Sequence, residues 1–503
     1  MTDRIDRRTF LGMAAGTAGM ALTGCEDEKL RESPNVLFVF PDQLRANVCG
    51  VYGGRNIRTP NIDRLASEGV VFTNSVSTCP LCTPYRGMLQ TGRHPTHSGI
   101  IINFVESSPA QNPNCLANVF GAAGYETGYI GKWHLAADLH RGTPLAVGRT
   151  ACSLPDDPDP SFIPPGSRRL GYKHWQAYDF HYQYYGYWYY ENEPHKRYSE
   201  RYETDTQTDQ AIAFMERCRQ SGRPFLVNVA PHPPHPPFEP DFAPAGYLER
   251  VSQTLWWPPN VPADNPSTDE ELRCYLAMIQ NVDDNLGRLL DYLDDSGLAR
   301  DTIVVFTSDH GEMLGSHGRI QKMVPYAEAI DVPLIMRWPS RITAGVRVDT
   351  LQTPMDHFPT LCGLAGLPVP REVDGADLSG VVTGASSSSD EREGVLIGHY
   401  SSSELWFDSG TIWPEWRGVR TKQHTYVRWL AGGEELYDNL ADPYQMNNLA
   451  ADDAVPDSLV QLRVQLTDLL AEAHDDFRPG TDYGDWYDDC RNLVRTALGP
   501  VPG

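Results

Sequence analysis

The chain has 503 residues, enough for one large α/β domain and a smaller companion. Its formal charge of −24 argues against broad contact with nucleic acid or a sulfated polymer, so an anionic ligand must meet cations gathered in one pocket. The ten cysteines are spread thinly, unlike the disulfide framework of a small secreted domain.

At the N-terminus, Asp6-Arg7-Arg8-Thr9-Phe10-Leu11 leads into an apolar stretch over 11–22, too short and too rich in small residues to span a bilayer. Leu22-Thr23-Gly24-Cys25 follows. The first run resembles a twin-arginine export signal and the second a lipobox. Residues 1–25 are therefore expected to direct export to the periplasm or cell surface, with a lipid anchor on Cys25 as the one link to a membrane. A polar linker over 26–34 comes next.

The continuous apolar run over 35–40 predicts a strand buried on both faces, ended by Pro41-Asp42-Gln43. Thr59-Pro60 opens a helix that Gly69 closes. In Cys79-Pro80-Leu81-Cys82-Thr83-Pro84-Tyr85-Arg86, Pro84 fits the first turn of a helix, where a missing N–H costs nothing, and Gly92 suits its end. Cys82 thus falls at the positive end of a short helix, with Arg86 one turn on and on the same face. A strand over 127–130 runs into Gly131-Lys132-Trp133-His134. Tyr182, Tyr184, Tyr185, Tyr187, Trp188, Tyr189 and Tyr190 form a dense aromatic run. A strand over 225–229 leads to Pro233-Pro234-His235-Pro236-Pro237-Phe238. Thr268 and Glu271 form a capping box for a helix to about Asp295. A strand over 302–306 ends in Thr307-Ser308-Asp309-His310-Gly311, and 332–336 predicts a fifth strand. Beyond a serine-rich linker at 386–389, short strands near 417–420 and 435–439 precede a helical pattern over 459–474.

This alternation predicts an α/β fold. A large, mostly parallel, doubly wound sheet occupies 33–384, and a smaller α+β subdomain occupies 394–503. Asp42, Lys132, His134, His235, Asp309 and His310 then converge on the C-terminal edge of the sheet, where open α/β sheets bind ligands. Asp42, Asp309 and the carbonyl of Gln43 are hard oxygen donors, and His310 adds a nitrogen; such a set suits Ca²⁺, or Mg²⁺, over a soft metal. Cys82 read alone also permits a buried core thiol or, with Cys79, a redox pair or half of a zinc site; no second Cys-x-x-Cys completes the latter.

The Cys82 run, Cys-x-Pro-x-Arg followed by Gly87-Met88-Leu89-Gln90-Thr91-Gly92-Arg93, resembles the signature of the type I sulfatases of the alkaline phosphatase superfamily. Gly131-Lys132-Trp133-His134-Leu135, the Pro-His-Pro-Pro-Phe around His235, and Gln321-Lys322-Met323-Val324-Pro325-Tyr326 match further family motifs in the same order, over about 35–450. The family carries an acid where this chain has Gln43.

The resemblance implies that a formylglycine-generating enzyme in the cytosol converts Cys82 to formylglycine, whose hydrate attacks sulfur. It implies that Asp42, Gln43, residue 82, Asp309 and His310 bind the cation, and that Arg86, Lys132 and Lys322 hold the sulfuryl oxygens. His235 or Lys322 protonates the leaving alcohol, and His134 is the base that releases sulfate. A serine could attack, but it lacks the second hydroxyl needed for release. The expected substrate is a sulfated saccharide, attacked at a chain end, with Tyr185 and Trp188 on the sugar faces. Trp256-Trp257 and the tryptophans at 413–416 are further candidates, and His317 reads as structural. A phosphonate or phosphate-diester hydrolase of the same superfamily stays open, as does a lipid-anchored glycan-binding protein without turnover.

Overall fold

The computed structural model describes residues 33–106, 113–137, 161–386, 392–400, 414–451, 456–488 and 491–501. The export signal, Cys25 and Trp413 lie outside these residues. Among the described residues no helix is long and apolar enough to cross a membrane.

Why the central strands are apolar along their whole length is visible in how their side chains divide. In β1 (Asn35–Val39), Val36 and Phe38 point into one core while Leu37 and Val39 point into another. Strand pleating sends successive side chains to opposite faces, and both faces here are covered. β2 (Val70–Ser75), β3 (Glu126–Lys132), β4 (His174–Tyr178), the two-residue ribbon β5 (Trp188–Tyr189) and β6 (Arg197–Tyr198), β7 (Phe225–Ala230), β8 (Thr302–Phe306), β9 (Ile335–Arg337) and β10 (Val346–Gln352) follow. Apart from the ribbon they form one eight-stranded sheet, ordered β10-β2-β9-β8-β1-β7-β3-β4. The helices Pro60–Ser67, Glu203–Ser221 and Asp269–Asp295 cover one face, and Cys82–Thr91, Leu116–Ala122 and His357–Ala365 the other.

Seven of the eight strands are parallel. The expected fifth strand is β9, and it runs antiparallel to both β2 and β8. The segment between β8 and β9 holds a 3-10 turn at Ser316–Gly318 and the four-residue helix Ala327–Ile330 but no crossover helix, so the chain returns along the sheet in the opposite sense. Sequence reading missed β2, where an apolar start of three residues runs straight into Thr73-Asn74-Ser75, and also β4 and β10. The last two are edge strands with polar or exposed alternate positions, which weakens an apolar-run signal. The capping box of the long helix is present: Thr268 Oγ1 accepts from Glu271 N at 3.1 Å, and Glu271 Oε2 accepts from Thr268 N at 2.7 Å.

The C-terminal part is an antiparallel sheet of β11 (Val395–His399), β12 (Trp416–Arg420), β13 (His424–Trp429) and β14 (Glu434–Asp438), with a small β15 (Arg495–Thr496) and β16 (Gly499–Pro500) hairpin beyond it. Leu396, Val419, Tyr426 and Leu436 face the helix Asp457–Glu472, while Ile397, Trp416, Val427 and Tyr437 join the core of the main sheet. The smaller unit is therefore fused to the larger through one shared core. Trp416 makes this explicit: its indole N–H donates to the carbonyl of Met323 at 2.9 Å, beside Lys322.

Candidate active site

The helix Cys82–Thr91 is buried at every position, and Gly92, at φ 64°, ends it by donating its N–H to Met88 O at 2.8 Å. Its first turn is satisfied from outside: Asn103 Oδ1 accepts from Thr83 N at 2.8 Å. Thr83 Oγ1 donates to the carbonyl of His134 at 2.8 Å and so fixes the loop after β3 against this helix. That loop needs a glycine, because a Cβ on Gly131 (φ 104°) would lie 2.3 Å from Ala230 O. Cys79 sits in the apolar core, where burial pushes its thiol up to about 12; Cys82 faces the polar site, so the two do not form a redox pair here.

Cys82 Sγ lies 3.2 Å from His310 Nε2, 3.8 Å from Asp42 Oδ1 and 3.7 Å from Lys132 Nζ. Asp42, Cys82, Asp309 and His310 each offer a ligand atom, and these atoms all lie within 4.8 Å of one another. His310 Nδ1–H donates to Gly311 O at 3.1 Å, which leaves the Nε2 lone pair toward this cluster. Burial, then Asp42, pushes the Asp309 carboxyl above the usual carboxylate range. Burial opposes the charge of Asp42 as well, but Lys132 and then Arg86 hold its carboxyl well below that range. Two buried acids and one imidazole nitrogen crowded in this way fit a hard divalent cation.

Cations surround the acids. Lys132 Nζ donates to Asp42 Oδ2 at 2.6 Å. One guanidinium nitrogen of Arg86 bridges Asp42 Oδ2 (3.1 Å) and Asp309 Oδ2 (3.3 Å), and the other donates to Lys132 O at 2.5 Å. Lys322 Nζ donates to Gln43 Oε1 at 2.5 Å and faces His235 Nε2 at 3.2 Å. Gln43 therefore presents its amide oxygen to Lys322, and its backbone N–H donates to Asp309 Oδ1 at 2.9 Å. His134 stands at φ 53° between Phe104 and Phe180, and neither ring nitrogen has a hydrogen-bond partner among the described residues. Burial, then Lys132 and Arg86, keeps it neutral; burial, then Lys322 and Lys132, does the same for His235.

All of Asp42, Gln43, Cys82, Arg86, Lys132, His134, His235, Asp309, His310 and Lys322 thus meet in one buried site at the end of β8, β1, β7 and β3. Residues 34–367 match the family model described as Sulfatase, and residues 315–472 match that described as N-sulphoglucosamine sulphohydrolase, C-terminal. The chain belongs to the sulfatase family. An ulvan-active sulfatase of Formosa agariphila is 35% identical over 88% of this chain and 82% of its own length. An endo-4-O-sulfatase of Bacteroides thetaiotaomicron is 28% identical over 92% of this chain and 97% of its own. A solved structure from work on glycosaminoglycan metabolism by the same bacterium superposes with a TM-score of 0.76 at 26% identity, covering 88% of this chain and 97% of that one. Phosphonate monoester hydrolases share the fold at 24% and 23% identity. The sulfatase is a sulfuric ester hydrolase.

The aromatic run behaves differently from expectation. Trp188 is 8% exposed and packs with Tyr178, Tyr187 and Tyr190, so it is a core residue of this loop and not a sugar platform. Tyr185 is 40% exposed, stacks edge-on to Tyr202, and its hydroxyl accepts from Ala245 N at 2.6 Å. The exposed ring over the site is Tyr182, at 51%, whose centroid lies 5.9 Å from that of His235. Phe180 lies under Lys132, with Nζ 4.6 Å from the ring centre.

Sequence reading also missed Glu203 and His232. Glu203 Oε1 accepts from Tyr178 OH, Gln207 Nε2 and His232 N, while its other oxygen and both ring nitrogens of His232 have no hydrogen-bond partner among the described residues. His181 completes a three-residue cluster with them. Its nitrogens are already engaged by Trp188 O at 3.1 Å and Gln183 N at 3.2 Å, which speaks against a second cation there. Burial pushes the Glu203 carboxyl from 4.5 up to about 7. The folded chain then keeps a proton that the unfolded chain has released, so this contribution to stability is complete below about pH 4.5 and lost as pH rises through 7. It amounts to roughly 3 kcal/mol. Glu203→Gln should therefore flatten the fall in stability between those limits, read by chemical unfolding near pH 5 and near pH 7.5. An unchanged slope would show that Glu203 does not hold this proton.

Proposed function

We propose that this sulfatase is exported and removes sulfate from the end of a sulfated saccharide, with Cys82 converted to formylglycine and Ca²⁺ held by Asp42, Asp309, His310 and the converted residue. Mg²⁺ satisfies the same hard donors. The observation that carries the reading is the position of Cys82 Sγ, at once 3.2 Å from His310 Nε2 and 3.7 Å from Lys132 Nζ on the helix that presents Arg86.

When present, the cation supplies fixed positive charge at the nucleophile, and the hydrated aldehyde supplies two hydroxyls on one carbon, one to attack and one to release sulfate. Arg86, Lys132 and Lys322 spread positive charge around the sulfuryl oxygens in a dry pocket, where it counts far more than in water. His235 donates its Nδ1–H to Pro236 O at 2.9 Å, so its Nε2 accepts from Lys322. Lys322 is the member of this pair that carries a proton for the leaving alcohol; burial opposes its charge, but Cys82, Asp42, Asp309 and Glu312 raise its pKa. His134, neutral and with no hydrogen-bond partner among the described residues, is placed to take the proton that frees the sulfate.

Two things support a saccharide end: Tyr182 over the histidines and the acidic surface that repels a polyanion away from the pocket; the names of the relatives support a sulfated saccharide but not its end, one of them being an endo-sulfatase. Tyr182→Ala should lower kcat/KM on a sulfated oligosaccharide about tenfold while leaving a small aryl sulfate nearly unchanged, as loss of a stacking face requires. Equal losses on both substrates would assign Tyr182 to folding. Aryl sulfate should turn over faster than the matching aryl phosphonate; the reverse order would place the enzyme with the phosphonate hydrolases.

A further inference from the structure

Lys322 sits in a loop that its own sequence does not favour. Leu314, His317, Gln321 and Met323 all have positive φ (39°, 54°, 65° and 74°), and the last two flank Lys322 directly. A non-glycine residue in this region costs about 1–3 kcal/mol, so the surroundings must dictate the conformation. Outside the loop, the carboxylate of Glu312 does much of this. It is buried, and its Oε1 accepts from Leu314 N at 2.9 Å and from Gln321 N at 2.6 Å. Its Oε2 accepts from Gln43 Nε2, and Gln43 Oε1 in turn accepts from Lys322 Nζ.

The donor and acceptor chemistry leaves one solution. An ammonium only donates and a carboxylate only accepts. Gln43 placed between them must give its NH₂ to Glu312 and its oxygen to Lys322. The same carboxylate thus fixes the backbone that carries Lys322 and the orientation of the amide that receives its ammonium.

We propose that Glu312 is the positioning residue for Lys322, acting through Gln43 and through the backbone of the 314–321 loop. The proposal rests on the role given to Lys322 above. Glu312→Gln is nearly isosteric, yet a carboxamide has only one accepting atom. It must turn NH₂ either toward the two backbone N–H groups or toward Gln43. In the second case Gln43 flips and presents its own NH₂ to the Lys322 ammonium. Exchanging the two side chains removes both conflicts. In Gln43→Glu/Glu312→Gln, the new carboxylate at 43 accepts from Lys322 and from the amide at 312, whose oxygen is free for Leu314 N and Gln321 N.

The test is kcat/KM on 4-nitrophenyl sulfate and on a sulfate ester of a poor leaving alcohol, for wild type, Glu312→Gln and the exchanged pair, with calorimetric binding of inorganic sulfate to each. Glu312→Gln should lose about 10–100-fold in kcat/KM, the usual scale for a supporting contact, with the larger loss on the poor leaving group. It should also bind sulfate more weakly, and the exchanged pair should recover most of both losses. No loss in Glu312→Gln, equal losses on the two esters, or an exchanged pair no better than the single variant would overturn the proposal. Should Glu312→Gln alone not fold, an exchanged pair that folds and turns over supports it, and one that stays unfolded overturns it. Wild type that binds sulfate but shows no ester turnover would instead count against the proposed function.

Discussion

Replacing Cys82 by alanine is expected to abolish sulfate-ester turnover, by at least about 10⁴-fold, while leaving the fold in place. The side chain is small and buried at the start of a helix whose first turn is held by Asn103, and alanine is a good helix former, so the helix keeps its register. The loss falls on chemistry: no other described residue brings a nucleophile to the point where Asp42, Lys132 and His310 converge. Arg86→Lys should fail nearly as badly, by about 10²–10³-fold, because one ammonium cannot reach Asp42, Asp309 and the Lys132 carbonyl together. Full activity in Cys82→Ala, measured on an aryl sulfate, would contradict the mechanism.

Asp309→Ala should remove both the cation and the activity. Asp309 Oδ1 accepts from Gln43 N and His310 N, and Oδ2 accepts from Arg86, so its carboxylate orders two neighbours as well as offering a ligand atom. Without it, Arg86 loses half of its acid pair and the cation site loses one of two carboxylates. Metal analysis of the purified variant should find no bound divalent ion, and kcat should fall by at least about 10³-fold. Because burial and Asp42 raise the Asp309 carboxyl, its deprotonated, cation-binding form is lost as pH falls through that raised value, so cation affinity should weaken toward acid pH in the wild type. Wild-type protein freed of metal and still turning over at full rate would deny the cation any part in catalysis.

Most of the site was legible because its residues follow strong local signals. Asp42 and Asp309 come just after continuous apolar runs that read as buried strands, Lys132 ends a short strand, and His235 follows another in a Pro-rich loop; parallel strands deliver such residues to one edge. Cys82 and Arg86 were legible through helix spacing and Pro84. What was not legible depends on packing between distant segments. Glu203 reads as an ordinary acid in a helix first turn, and its meeting with His232 is set by the path of β7. Glu312 reads as part of a turn; its partners Gln43 and Gln321 lie 269 and 9 residues away. Tyr182 and Trp188 have similar sequence surroundings, and only the fold decides which ring is exposed. The direction of β9 is likewise absent from its own residues, since a three-residue strand pairs either way.

In the mechanism proposed above, residue 82 is the nucleophile in modified form. Intact mass of the tryptic peptide containing residue 82, taken from active protein made alongside a formylglycine-generating enzyme, tests it most directly. The peptide should be lighter than the encoded one by the change from CH₂–SH to CHO, with activity rising in proportion to the converted fraction. A fully active preparation in which residue 82 is entirely unmodified cysteine would contradict it.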